Sequence, residues 1–260
     1  MPRLQFLGTG NAHSPPGRMH ALLLIDDHIL IDSPPTLMPQ LRDVGIDAAM
    51  IEYILFTHWH GDHMFGFPFL MLDRKYISKT EKSLVLKLRP KGKKILSDLC
   101  KIAFPGSLGD ILENEVIWDE EEIGKIGDSG WSYERFPVKH VIETDPHGYL
   151  LTHQSGFRIL HCGDSGPCEE IEKRGDEVDV ILVEMGIPNF VNSEFHHSPS
   201  DIIKLAKKFP GVTILVTHSF TSSKKSEVGF PLPKLPPSVI QLEDGDCLEV
   251  DDKGVFYVKK

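Results

Sequence analysis

Apolar positions along this chain fall into short runs separated by Gly-, Pro- or Asp-rich breaks. Runs at 3–7, 21–25 and 29–32 predict strands joined by tight turns. Residues 37–44 predict a short helix that stops at Gly45. The run 51–57 is apolar almost throughout, as expected of a strand covered on both faces. A helix is expected from Asp62 to about Lys75, bent near Pro68, because proline removes an intrahelical hydrogen bond. A strand at 83–88 and an amphipathic helix at 91–104 follow. Further strands are expected at 116–118, 131–139, 148–152, 157–162, 178–184 and 213–217. A helix at 199–209 starts behind Ser198 and Ser200, and 247–250 with 255–258 predict a closing hairpin. The proline-bearing stretch 222–238 predicts an irregular loop. Two strand-rich halves flanked by helices predict an α/β chain of two packed sheets between helix layers.

Composition narrows the picture. With 260 residues, a chain can bury about 70–75% of its unfolded surface without a covalent staple. The net charge of −10 argues against a surface that grips nucleic acid along its whole extent. The apolar run 21–31 is interrupted by Asp26, Asp27 and His28 and is too short to cross a membrane. No signal-peptide pattern stands at the start, and a cytoplasmic protein with no membrane partner is expected. Cys100, Cys162, Cys168 and Cys247 form no CxxC pair and are expected to be reduced and mostly buried. Residues 74–101 carry ten basic and two acidic side chains, and 110–122 carry seven acidic and no basic ones. Solvated helix faces and loops account for both, with a basic flank that steers anions as the sharper alternative.

The 13 histidines carry the chemistry. Directly after the buried run stands Thr57-His58-Trp59-His60-Gly61-Asp62-His63. In an extended backbone, residues two apart point the same way, so His58 and His60 can grip one ion. Asp62 and His63, at a helix start, can turn toward a second. Imidazole and carboxylate donors in this mix suit zinc, and also manganese or iron. His140, Asp164 and His218 each follow a predicted strand, where polar groups commonly line a site. A bridging carboxylate at Asp164 would hold two cations together, with His140 completing the first site and His218 the second. His13, His20, His147, His153 and His161 receive no role, and surface positions are expected for His13 and His20.

These residues, with Gly163 before Asp164, resemble the metallo-β-lactamase superfamily over nearly the whole chain. The resemblance implies a four-layer αββα sandwich of two mixed β-sheets, one domain over 1–260, with a dinuclear metal site at one edge. All seven family ligands have a match, in order: His58, His60, Asp62, His63, His140, Asp164 and His218. Leu7-Gly8-Thr9-Gly10 is similar to the opening motif of ribonuclease Z and its phosphodiesterase relatives. The motif either forms a tight loop near the metals or ends a strand. Glu184 and His197 are similar to that branch's Glu and His-Ser-Thr motifs, whose residues support catalysis without binding metal. Pro199 replaces the threonine, which makes His196 a competing choice.

The resemblance implies a metal-dependent hydrolase. His140 and Asp164 stand only 24 positions apart, which leaves no room for the long tRNA-gripping arm of bacterial-type ribonuclease Z. A small or nucleotide-like phosphodiester is therefore the expected substrate, and nucleic acid is not favoured. Two divalent ions, zinc first, are expected to share a hydroxide as nucleophile. Asp62 serves catalysis as well as binding, His197 protonates the leaving oxygen, and Glu184 orients its ring. The alternatives are a tRNA 3′-processing endonuclease, a lactone or thioester hydrolase, and a metal-binding protein without turnover. Phosphodiesterase relatives are often dimers, which makes a homodimer an expectation.

Overall fold

The computed structural model describes residues 1–224, 231–251 and 254–258. The first six strands are β1 (Arg3–Gly8), β2 (Leu22–Ile25), β3 (Ile29–Ile31), β4 (Tyr53–Leu55), β5 (Leu84–Lys87) and β6 (Val116–Asp119). The next seven are β7 (Ile123–Lys125), β8 (Trp131–Pro137), β9 (His147–His153), β10 (Arg158–His161), β11 (Val180–Met185), β12 (Thr213–Ser219) and β13 (Val239–Gln241). The last pair, β14 (Asp246–Asp251) and β15 (Gly254–Val258), returns to the first group. One sheet has eight strands in the order β15-β14-β1-β2-β3-β4-β5-β6, and the other has seven in the order β13-β12-β11-β10-β9-β8-β7. Both are mixed. The first is antiparallel up to β3 and parallel from β3 to β6. The second is antiparallel from β7 to β10 and parallel from β10 to β13.

Strand alternation builds the layers. From β2, Leu23 and Ile25 face the other sheet, where they meet Tyr149, Leu151, Ile159 and Leu182. Leu22 and Leu24 face outward onto α1 (Leu37–Asp43), α3 (Phe67–Tyr76), α4 (Gly92–Ala103) and α5 (Gly109–Asn114). On the second sheet, Leu160, Ile181 and Val183 pack against α6 (Glu169–Arg174) and α7 (Pro199–Lys208). Three apolar layers between four structural layers make the αββα sandwich. A capping box starts α7, with Ser198 and Asp201 satisfying each other's end of the helix.

The expected helix from Asp62 to Lys75 is two helices, α2 (Gly61–Met64) and α3. The break lies at Gly66, not at Pro68, which sits harmlessly in the first turn of α3. A Cβ on Gly66 would lie 2.0 Å from the Pro34 carbonyl oxygen. The Ser33–Pro34 loop wedges in there, and the Gly66 N–H donates to the Ser33 carbonyl at 2.8 Å. The expected strand 51–57 is paired only over Tyr53–Leu55, because Thr57 and His58 leave the sheet for the site. The short elements α5, α6, β7 and β13 were not expected from the sequence. The predicted loop 222–238 falls partly on residues 225–230, outside the described residues.

The charge-dense stretches largely cancel. Lys75, Lys82, Lys87, Arg89, Lys94 and Lys101 each pair with a carboxylate. Arg74 is buried on the carbonyls of Ala48, Ile51 and Lys82. Among the described residues, no helix is long and apolar enough to cross a membrane.

Candidate metal centre

The site lies where chain segments leave one edge of both sheets. β4 delivers Thr57 and His58 into a loop whose backbone is held by Thr144 and His147. The Trp59 N–H donates to the Thr144 carbonyl at 3.2 Å, and the His147 N–H to the Thr57 carbonyl at 3.1 Å. There His60 Nδ1 lies 3.1 Å from both His58 Nε2 and His140 Nε2. A tetrahedral ion with bonds of 2.0–2.1 Å spaces its ligand atoms by about 3.3 Å, so both spacings are close to what such an ion requires. Asp164 Oδ2 lies 3.9 Å from His58 Nε2, 3.5 Å from His63 Nε2 and 3.3 Å from His218 Nε2. Asp62 Oδ2 lies 3.3 Å from His63 Nε2 and 3.2 Å from His218 Nε2. Two quartets result: His58, His60, His140, Asp164 and Asp62, His63, Asp164, His218. In each, all donor atoms fall within 4.8 Å of one another, and Asp164 belongs to both.

Neighbours fix which ring nitrogen faces inward. Thr57 Oγ1 donates to Asp32 Oδ2 and therefore accepts from His58 Nδ1, at 3.1 Å. His63 Nδ1 donates to Asp32 Oδ2 at 2.8 Å, and His140 Nδ1 to the Phe195 carbonyl at 3.0 Å. Each of these rings thus turns a bare Nε2 toward the quartets, the arrangement that metal-binding histidines require. His63 Nε2 is buried without a hydrogen-bond partner and faces the carboxylates of Asp62 and Asp164. The donor set therefore fits divalent metal.

Electrostatics agree. Burial pulls the His58 imidazole well below its usual range, and His60 and His140 fall for the same main reason. Three neutral imidazoles are what a cation needs. Burial opposes charge on Asp62 and Asp164 too, yet His63 and His218 hold both carboxyls well below the carboxylate range. Burial likewise disfavours His63 and His218 as cations, but Asp164, Asp62 and Asp32 push His63 up, and Asp164 and Asp62 push His218 up. The second quartet thus attracts positive charge.

Asp32 was not anticipated. It follows β3 with a φ of +69°, and it accepts the Thr57 N–H, the Thr57 hydroxyl and His63 Nδ1, each at 2.8 Å. The available signal was an acid ending an apolar strand, Ile29-Leu30-Ile31-Asp32, which reads equally well as a turn residue. The Gly8-Thr9-Gly10 motif ends β1 and runs beside Ser219. Thr9 is buried, its hydroxyl donates to Asp244 at 2.6 Å, and its carbonyl accepts the Ser219 N–H at 2.8 Å. The motif therefore braces the chain beside His218, itself held at a φ of +44°.

The Glu184 and His197 pairing is corrected. Glu184, buried in β11, meets His196: its Oε1 accepts from His196 Nδ1 at 2.7 Å. The His196 ring stands 4.9 Å from the His140 ring and 6.4 Å from the His218 ring. Burial lowers His196, but the Glu184 hydrogen bond and charge outweigh it and hold it at about 9. His197, next in the chain, diverges to the other side. It is buried, and its Nδ1 donates to the Ser165 carbonyl at 2.5 Å. His147, His153 and His161 are buried as well, while His20 sits half-buried within reach of the charges of Asp62, His63 and His218.

The fold and the site define the class: a metal-dependent hydrolase of the metallo-β-lactamase superfamily. A family model described as Anti-Pycsar protein Apyc1 matches residues 2–228, and the chain belongs to that family. Ribonuclease Z of Pyrobaculum islandicum is 24% identical, over 95% of this chain and 97% of its own length. Among solved structures, the metallo-β-lactamase fold protein YhfI of Bacillus subtilis matches 96% of this chain and 100% of its own, with a TM-score of 0.73 and 13% identity. A diphosphatase of the PhnP family matches 96% and 98%, with a TM-score of 0.70 and 20% identity.

Proposed function

We propose that this chain is a phosphodiesterase for a small or nucleotide-like phosphodiester, working with two divalent ions, zinc first. The observation that carries the reading is the pair of donor quartets sharing Asp164, with the Glu184–His196 pair standing over them. His58, His60, His140 and Asp164 would hold one ion, and Asp62, His63, Asp164 and His218 the other. When bound, such ions supply Lewis acidity toward phosphoryl oxygens and activate water near neutral pH.

The chain's own groups do the rest. Glu184 holds the Nδ1–H of His196, which leaves Nε2 as the proton donor, on a ring that stands beside those of His140 and His218. The Glu184 hydrogen bond and charge favour the protonated form of His196, the form that can protonate a departing alkoxide. His197, held on the Ser165 carbonyl, takes no part in that transfer.

The turn between β9 and β10 supports a small substrate, because it spans only residues 154–157 where an RNA-gripping arm would insert. One reading competes. The relatives named ribonuclease Z cover nearly the whole chain, which favours RNA 3′ processing. A substrate panel separates the two. The zinc- or manganese-loaded protein is given bis(p-nitrophenyl) phosphate, small linear and cyclic phosphodiesters, a precursor tRNA, a lactone and a thioester. Turnover of small diesters without tRNA cleavage is expected. Turnover confined to tRNA, lactone or thioester contradicts the proposal.

A further inference from the structure

Asp164 has to serve both quartets at once, so its position matters more than that of any other donor. It stands on the short loop after β10, Cys162-Gly163-Asp164-Ser165-Gly166. Gly163 has a φ of +61°, a conformation that glycine adopts without strain, so the chain turns sharply just before the carboxylate. Two buried histidines outside the ligand set grip this loop on either side of Asp164. His161 Nδ1 accepts the Gly163 N–H at 3.1 Å. His197 Nδ1 donates to the Ser165 carbonyl at 2.5 Å.

The two bonds demand opposite tautomers. An N–H can only donate, so His161 must keep Nδ1 bare and carry its proton on Nε2. A carbonyl can only accept, so His197 must carry its proton on Nδ1. Burial, the largest influence on both rings, favours the neutral forms that these bonds need. The loop's far end is fastened to the segment before His140. The Gly166 N–H donates to the Lys139 carbonyl at 2.9 Å, and the Lys139 N–H to Ser165 Oγ at 3.2 Å. The backbone on either side of Asp164, at the Gly163 N–H and the Ser165 carbonyl, is thus bound by side chains that the hydrolytic chemistry does not use.

We infer that His161 and His197 are positioning residues, which clamp the Gly163–Ser165 backbone so that the Asp164 carboxylate reaches both ions. The inference rests on the two-metal reading above. Its test is metal binding by the full chain: zinc affinities by competition with a chromophoric chelator, and the absorption spectrum of the cobalt(II) form. His161→Leu and His197→Leu remove the gripping nitrogen and are expected to weaken zinc binding about 10–100-fold and to change the cobalt spectrum.

Asparagine can set an oxygen or an N–H where histidine Nδ1 lies, whereas glutamine sets it one bond farther out. His161→Asn and His197→Asn are therefore expected to recover wild-type affinity within about threefold, and the glutamine variants are not. A merely space-filling role would not discriminate in this way. Wild-type affinity in the leucine variants overturns the inference, as does equal affinity in the asparagine and glutamine variants. Should the leucine variants fail to fold, the asparagine–glutamine contrast decides alone. Turnover enters none of these measurements, so a zinc-binding protein without phosphodiesterase activity would sink the proposed function and leave this result standing.

Discussion

Replacing Glu184 by glutamine removes one negative charge and little volume. In the native chain, Glu184 Oε1 lies 2.7 Å from His196 Nδ1, and the carboxylate is 1% exposed. Burial pulls the imidazole down, and the carboxylate outweighs it to hold the ring at about 9. Raising an imidazole from its ordinary 6.5 to that value takes about 3 kcal/mol of preference for the charged form. In Glu184→Gln the amide oxygen can still accept from Nδ1, at the cost of setting the amide NH2 against the Gly186 N–H that the second carboxylate oxygen accepts. Burial is then opposed only by the more distant Asp164 and Asp62, and the pKa falls to its ordinary value or lower. Divalent ions beside His140 and His218 lower the ring in both proteins alike, so the prediction concerns the gap. The alkaline limb of the kcat profile should move down by about two pH units. Between the two limbs the variant's acid is about 1% protonated, which predicts a loss of about 10–100-fold in kcat.

The assay compares two diesters at saturating metal. p-Nitrophenolate departs without a proton, so bis(p-nitrophenyl) phosphate should respond weakly to the substitution. A diester with an alkyl leaving group should show the full shift. His197→Asn should leave the limb where it is. If Glu184→Gln keeps full metal content and the native profile on the alkyl diester, His196 is not the acid.

Three further outcomes follow from the packing and the site. Removing metal with a chelator should lower the melting temperature, because an ion present at a thousand times its Kd adds about 4 kcal/mol; an unchanged melting curve would show that nothing was bound. Asp32→Asn places an N–H where three donors converge, and should cost about 10–100-fold in metal affinity by chelator competition. Leu30→Ala, fully buried between β3 and the first helix layer, should cost about 2–5 kcal/mol in urea denaturation, and a loss below about 1 kcal/mol would contradict the packing.

The ligand quartets were legible in the sequence because strands and turns impose short-range geometry. His58 and His60 are two apart on an extended segment, and His140, Asp164 and His218 each follow a strand. Two packed sheets between helices were legible from two strand-rich halves with helices beside them, and the four-layer order came from the resemblance that the ligand motif carries. What stayed hidden depended on distant chain segments. Gly66 breaks a helix because Pro34 arrives from elsewhere, and Asp32 orients His63 across 31 residues. The choice between His196 and His197 turned on which of two adjacent side chains meets Glu184, and no local pattern encodes that. Short strands such as β7 and β13 carry too few residues to show a period, and their partners define them.

The most direct measurement pairs zinc content with hydrolysis of bis(p-nitrophenyl) phosphate, in the native chain and in Asp164→Ala. Two zinc ions and steady turnover are expected in the native chain, and loss of both the second ion and the turnover in the variant. Turnover that survives in Asp164→Ala, or a native chain that holds two ions and hydrolyses no phosphodiester, would contradict it.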